Sequence, residues 1–215
     1  MIVTAYRPEA RQTRRALLAL LAGLPFVLPR TASAQMDPGR ATAFIQTTGD
    51  ALVGVLNSQA PAPQRRERVA GILRQAVDIE GTGRFILGRW WRVASPAEQQ
   101  EYLRLFEETL IRNLASRFGE YQGVRFTLGR SQRRTEDDAL VTTVVERPST
   151  PPVNLDWRVA DVGGNPRIVD LVAEGTSLRL TQRSEYSAVI QRGGNQVSAL
   201  LAAMRNQLQQ LQQRS

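Results

Sequence analysis

Residues 95–128 read SPAEQQEYLRLFEETLIRNLASRFGEYQGVRFTL, and the fold turns on what changes within that stretch. Ser95-Pro96-Ala97-Glu98 is a helix start. Its serine oxygen suits a free N–H, proline lacks a donor where none is needed, and the carboxylate three residues on completes a capping box. Leu103, Phe106, Leu110, Leu114 and Phe118 then recur at three- and four-residue steps, which places them on one face of a helix of about 22 residues. After Gly119 the period drops to two, with Val124, Phe126 and Leu128 alternating with polar residues as in a strand with one buried face. A chain that turns from helix to strand midway, without βα alternation, reads as α+β.

Toward the C-terminus, Leu140 to Val145 and Ile168 to Ala173 are β-branched runs, and Leu155, Trp157 and Val159 alternate. Turn residues separate them at Glu136-Asp137-Asp138, Pro148 to Pro152, Gly163-Gly164-Asn165-Pro166 and Glu174-Gly175-Thr176. That spacing predicts an antiparallel meander with a fifth strand at Leu178 to Thr181. Helix returns with Tyr186, Val189 and Ile190, breaks at Gly193-Gly194, and resumes with a seam of Val197, Leu201, Met204, Leu208 and Leu211. Two heptads are short for a coiled coil, so this last helix is expected to dock on its own domain. Toward the N-terminus, Phe44, Ile45, Thr48, Leu52, Val55 and Leu56 mark a helix from about Gly39 to Asn57, and Val69, Ile72, Leu73 and Ala76 mark a second. Gly81 and Gly83 read as an interruption before Phe85-Ile86-Leu87-Gly88. The expected architecture is helices packed on one face of a curved antiparallel sheet of about five strands. Periodicity leaves open whether the covered face is a solid core or a pocket.

Arg7, Arg11, Arg14 and Arg15, an apolar run from Ala16 to Leu28, and Thr31-Ala32-Ser33-Ala34 have the order of an export signal, with cleavage expected after Ala34. The run of 13 residues is shorter than the ~20 a spanning helix needs. Thr13-Arg14-Arg15-Ala16-Leu17-Leu18 resembles a twin-arginine signal, and Sec and Tat export both remain open. Residues 1–34 are thus read as a cleavable signal and 35–215 as a single domain released into a periplasm. The 215 residues carry 28 basic and 20 acidic side chains, and every basic one is Arg. Removing the signal takes away five Arg and Glu9, leaving 23 Arg against 19 acids, a net +4 in place of +8. That weakens any case for nucleic-acid binding.

The chain has no Lys, His or Cys. This excludes Ser-His-Asp and Cys-His catalysis, Schiff-base lysines, His or Cys metal centres and disulfides, and a non-enzymatic protein without cofactor or metal is expected. Asp78 and Glu80 are the nearest thing to an acid–base pair, but their spacing puts them on different helix faces, favouring surface or capping roles. Glu136-Asp137-Asp138 lacks the glycine and terminal Glu of a calcium loop and reads as a solvated turn. Ser177 has no base to activate it and reads as a turn or strand start. Arg130, Arg133 and Arg134, with Arg125 and Arg147 nearby, suit either a guarded sheet edge or attraction to an anionic lipid surface. Of Trp90 and Trp91, one is expected to face the core.

Taken in series, several of these segments resemble the MlaC family of periplasmic phospholipid-binding proteins, also called the toluene-tolerance family. They are Val77-Asp78, Phe85-Ile86-Leu87-Gly88-Arg89-Trp90-Trp91, Ser95-Pro96-Ala97-Glu98-Gln99-Gln100 and the Phe106 helix. Val169-Asp170-Leu171-Val172-Ala173-Glu174-Gly175-Thr176-Ser177-Leu178 and Gln182-Arg183-Ser184-Glu185-Tyr186 follow in the family's order. Val77 stands where the family usually has Phe, and Pro166-Arg167-Ile168-Val169 where it has an aromatic; a hopanoid-associated branch shares the same pattern.

The resemblance implies a carrier that holds acyl chains in an apolar pocket between sheet and helices. Such a carrier shuttles phospholipid between an outer-membrane lipoprotein–porin complex and an inner-membrane ABC transporter with an MCE-domain ring, maintaining outer-membrane lipid asymmetry. On that reading the protein is a monomer whose cargo is phospholipid, with Ile86, Leu87, Trp90, Phe106, Leu110, Val144, Leu155, Trp157, Val172 and Tyr186 as lining candidates. Arg183 is a candidate on the headgroup side. The alternatives are a periplasmic interaction adaptor with a filled core, or a carrier of a hopanoid-type lipid.

Overall fold

Asp37 starts the first helix: its carboxylate accepts from the Arg40 N–H at 3.0 Å and leads into α1, Pro38–Leu56. The computed structural model describes residues 36–115, 123–148 and 150–213. The export signal at 1–34 and Phe118 lie outside the described residues. α2 spans Ala62–Ala76 and α3 spans Ile79–Leu87, followed by a 3-10 turn at Gly88–Arg92 and by α4, Pro96–Ala115. The capping box forms as the sequence predicts. Glu98 Oε2 accepts from the Ser95 N–H and from its hydroxyl, both at 2.9 Å, while the Glu98 N–H donates to Ser95 Oγ at 3.3 Å.

β1 (Arg125–Arg133), β2 (Asp138–Arg147), β3 (Thr150–Val162), β4 (Asn165–Ala173) and β5 (Thr176–Ser177) form one antiparallel sheet in the order β1-β2-β3-β4-β5. α5 (Leu178–Arg192) and α6 (Val197–Gln213) complete the chain, giving an α+β fold of six helices and five strands among the described residues. α1 lies across the sheet, Ala41 and Ile45 packing with Ala139, Val141, Val159 and Ile168. α6 docks on this domain as expected, with Val197, Leu200, Leu201, Met204 and Leu208 buried against α4 and α5. Among the described residues no helix is long and apolar enough to cross a membrane.

Four expectations are corrected. Gly81 and Gly83 do not interrupt the chain but lie inside α3. Gly81 sits under the capping Asp78 carboxylate, and a Cβ on Gly83 would stand 2.7 Å from Leu103 Cδ2, so these glycines serve close approach. The fifth strand is only Thr176–Ser177, and Leu178 to Thr181 are helical. Ser177 Oγ accepts from the Leu180 N–H at 3.3 Å and converts an alternating apolar run into a helix start. Asp138 is no solvated turn residue: it is buried and ion-paired with Arg158. The buried face of α4 is centred on Tyr102, Leu105, Phe106 and Thr109, leaving Leu103, Leu110 and Leu114 half-buried. Packing on both α6 and α3 widens the contact beyond a single stripe.

Candidate functional site

In an antiparallel sheet, residues directly opposite one another share a face. Val141 pairs with Trp157, which pairs with Leu171, and Thr143 pairs with Leu155, which pairs with Ala173. All lie on the face that carries α1, since Val141 and Trp157 pack with Ile45 and Phe44. Val144 pairs with Thr127 and Asn154, and Val172 with Asp156 and Ser177, so both point to the opposite face. The structure therefore joins Leu155 and Trp157 but separates Val144 and Val172 from them. Leu171, Ala173 and Val153 take the places on the helix-covered side that the sequence reading missed. Choosing Leu171 over Val172 requires the register, because a shift of one residue reverses every side chain on a strand.

The remaining candidates come from helices and meet in one cluster. Ile86, Leu87, Trp90, Phe106 and Tyr186 are buried there, with Leu110 half-buried beside them. Tyr102 organises this group, its ring 6.0 Å from Phe106 in a stacked arrangement and 6.2 Å from Tyr186 edge-on. Its hydroxyl donates to the Gly83 carbonyl at 3.0 Å. Burial pushes the Tyr186 hydroxyl up to about 12 and the Tyr102 hydroxyl higher still. Trp90 is the core-facing tryptophan and donates from Nε1 to Ser187 Oγ at 3.2 Å, while Trp91 is half-buried under the Arg84 guanidinium.

The apolar interior is divided among the described residues. One cluster belongs to α3 to α6, a second to α1 and the sheet, and a third to α1, α2 and the start of β1. On the covered sheet face, Val153, Leu155, Leu171 and Ala173 are half-buried and pack into none of the three. Trp157, beside them, is held in place by donating from Nε1 to Thr143 Oγ1 at 2.8 Å. Half-buried apolar side chains outside these clusters form an apolar strip on this face, the kind of surface a hydrocarbon guest would need.

The other side of the sheet carries two buried carboxylates beside a half-buried apolar set of its own, Leu140, Val144 and Val172. Asp138 and Arg158 pair there, and Asp170 accepts from the Ser177 hydroxyl at 2.7 Å and the Arg179 N–H at 3.2 Å. The Arg179 Nε also lies 3.2 Å from Asp170, an attraction between charges without hydrogen-bond alignment. Desolvation raises the Asp170 carboxyl above the usual carboxylate range, opposed by Ser177, the Leu171 N–H, Arg158 and Arg134. The acids weighed for catalysis do not converge: Asp78 caps α3, and Glu80 pairs with Arg84 at 2.5 Å. No group of three or more potential metal ligands occurs among the described residues. Arg183 is exposed, its guanidinium 5.1 Å from the Phe85 ring centre, which Arg179 also covers at 4.2 Å.

A solved structure similar to this chain is the phospholipid-binding protein from Ralstonia solanacearum in complex with a phospholipid. It is 22% identical, superposes with a TM-score of 0.72, and is covered over 98% of its length by 80% of this chain. At that identity the likeness is one of fold. The sequence model of the MlaC protein family matches residues 46–206, or 161 of 215, and the chain belongs to the MlaC family.

Proposed function

We propose that this protein is a periplasmic phospholipid carrier whose acyl-chain site lies between the covered face of the sheet and the helices. The observation that carries the reading is the strip of Val153, Leu155, Leu171 and Ala173, apolar and unattached to any of the surrounding clusters. Membership of the MlaC family and the phospholipid bound to the protein of similar fold support it. The lining set proposed is Leu155, Trp157, Leu171 and Ala173 on the sheet, with Phe106 and Leu110 as the candidates contributed by α4.

The physical demand on such a carrier is set by its cargo. Two acyl chains of about 15 methylenes each, at roughly 0.8 kcal/mol per buried group, oppose exposure to water by on the order of 25 kcal/mol. A site that replaces bilayer contacts nearly one for one makes each transfer close to isoenergetic. Direction then comes from the partners: an outer-membrane lipoprotein–porin complex at one end, and an inner-membrane MCE-domain ABC transporter, driven by ATP, at the other. In that role the protein contributes to outer-membrane lipid asymmetry, and it acts by binding and release without chemistry on the lipid.

Native mass spectrometry tests the reading. The full chain is produced in a bacterial host and recovered from the periplasm, and whatever co-purifies is extracted into organic solvent. The expected result is a polypeptide of residues 35–215 carrying a discrete adduct of phospholipid mass. A bare mass that persists after incubation with phospholipid vesicles overturns the carrier and moves the reading to an adaptor with a filled core.

A further inference from the structure

The outward stripe of α5 forms an open groove of about 440 Å³ lined by Leu180, Arg183, Ser184, Ser187, Ala188 and Gln191. These positions recur at three- and four-residue steps, so they share one helix face, and none is acidic. Glu185 falls outside that stripe and accepts from Gln182 at 3.1 Å. Arg183 has no carboxylate partner among the described residues. Packing positions it instead: its guanidinium lies over Phe85, and a Cβ on Gly88 would stand 3.0 Å from its Nη2. Gly88 has φ +58°, a conformation that favours glycine, so the turn leaves the guanidinium its seat.

A second donor is set beside it. Ser187 Oγ accepts from Trp90 Nε1 and from Gln191 Nε2, each at 3.2 Å, which occupies its lone pairs and leaves its O–H to donate. Arg89, also without an acidic partner among the described residues, stacks over that same Trp90 ring at 4.5 Å. A hydroxyl donor beside guanidinium groups with no competing carboxylate is the chemistry that recognises phosphate oxygens.

We propose that the α5 groove is a phosphate-recognition site, in which an oxyanion of a phosphodiester sits between the Arg183 guanidinium and the Ser187 hydroxyl. Arg89 supplies a second positive charge, and Leu180 and Ala188 meet the carbon skeleton attached to the phosphate. This deepens the carrier reading, on which it rests for the source of the phosphate, a glycerophospholipid headgroup.

The test uses protein recovered from the periplasm and two soluble probes, glycerophosphoglycerol and inorganic phosphate, titrated while the Trp90 indole and Gln191 side-chain amide resonances are followed. Saturable shifts with a dissociation constant in the roughly millimolar range are expected. Arg183→Gln should weaken them about tenfold or more, and Arg183→Lys, which keeps the charge but not the fork, by less. Leu180→Glu, at an exposed rim position, should weaken them without touching Arg183. Stronger binding of the diester assigns the source to a lipid headgroup, whereas equal binding assigns it to phosphate in general, and both support the site. Absence of a saturable shift, or a shift that survives both Arg183→Gln and Leu180→Glu, overturns it. Co-purified phospholipid without headgroup binding leaves the carrier standing and removes only the groove, while headgroup binding without retained lipid does the reverse.

Discussion

Glu98 Oε2 accepts two of the three hydrogen bonds of the capping box that starts α4, so Glu98→Ala leaves the Ser95 N–H without its partner. A loss of about 1 kcal/mol is expected, read as a lower urea midpoint at an unchanged m-value. Gly49 of α1 faces the Phe126 ring, where an added Cβ would come within 2.7 Å of Cε1 and 2.9 Å of Cε2. Gly49→Ala should cost about 1–3 kcal/mol in the same assay, because the half-buried Phe126 ring must shift to admit the methyl. The two buried tyrosines set an alkaline limit. The unfolded chain releases their protons near the ordinary phenol value of about 10, while the folded chain, with Tyr186 pushed up to about 12 and Tyr102 higher, retains them. Stability from these groups is therefore complete below about pH 10 and lost as the pH rises toward 12, at up to about 1.4 kcal/mol per pH unit for each. Denaturation midpoints measured across that interval should fall less steeply in Tyr186→Phe than in the parent.

At the scale of elements, the junction of β4 with α5 is tied by Asp170, which holds the Ser177 hydroxyl, the Arg179 N–H and the Arg179 charge at once. Asp170→Ala should cost about 2–4 kcal/mol and speed hydrogen exchange at Arg179 and Leu180, with Asp170→Asn intermediate since an amide oxygen still accepts. Exchange at those amides unchanged in Asp170→Ala would show that the helix start holds without its anchor. This junction also shows where sequence reading runs out. Leu178 and Leu180 alternate with polar residues as a strand would, and what makes them helical is Ser177 and a carboxylate seven residues upstream. The capping box at Ser95 was legible because both its partners lie within four residues. The meander was legible because turn residues interrupt a period of two. The site was legible only in part. Leu155 and Trp157 follow from alternation on β3, whereas the preference for Leu171 over Val172 depends on pairing with a strand ten or more residues away, set by the bulge between Arg158 and Val159. Gly81 and Gly83 read wrongly as a break because what they admit is not a turn: the Asp78 cap three residues before Gly81 is local, but the Leu103 side chain of α4 that Gly83 admits is a tertiary neighbour.

For the molecule as a whole, the two faces of the sheet make opposite predictions. Leu155→Arg places a charge in the apolar strip and should abolish lipid retention while the domain stays folded, as judged by circular dichroism and native mass spectrometry. Val144→Arg, on the far face one residue from the paired Thr143, should leave retention unchanged. Equal loss in both would place the acyl chains elsewhere than the covered face. The same topology orders events in time. Each strand pairs with the next in sequence, so the sheet can close hairpin by hairpin over short loops. α1 is divided: Val55 and Leu56 near its end pack on the neighbouring α2, whereas Ala41 and Ile45 pack on β2, β3 and β4, and Arg40 reaches across 121 residues to Asp161 at 2.7 Å. The first of the described helices thus lacks the sheet half of its binding surface until most of the chain has followed, and Ala41 and Ile45 wait uncovered in the interval. The nascent protein is therefore kept open at the start of its first described helix until the fourth strand has been made.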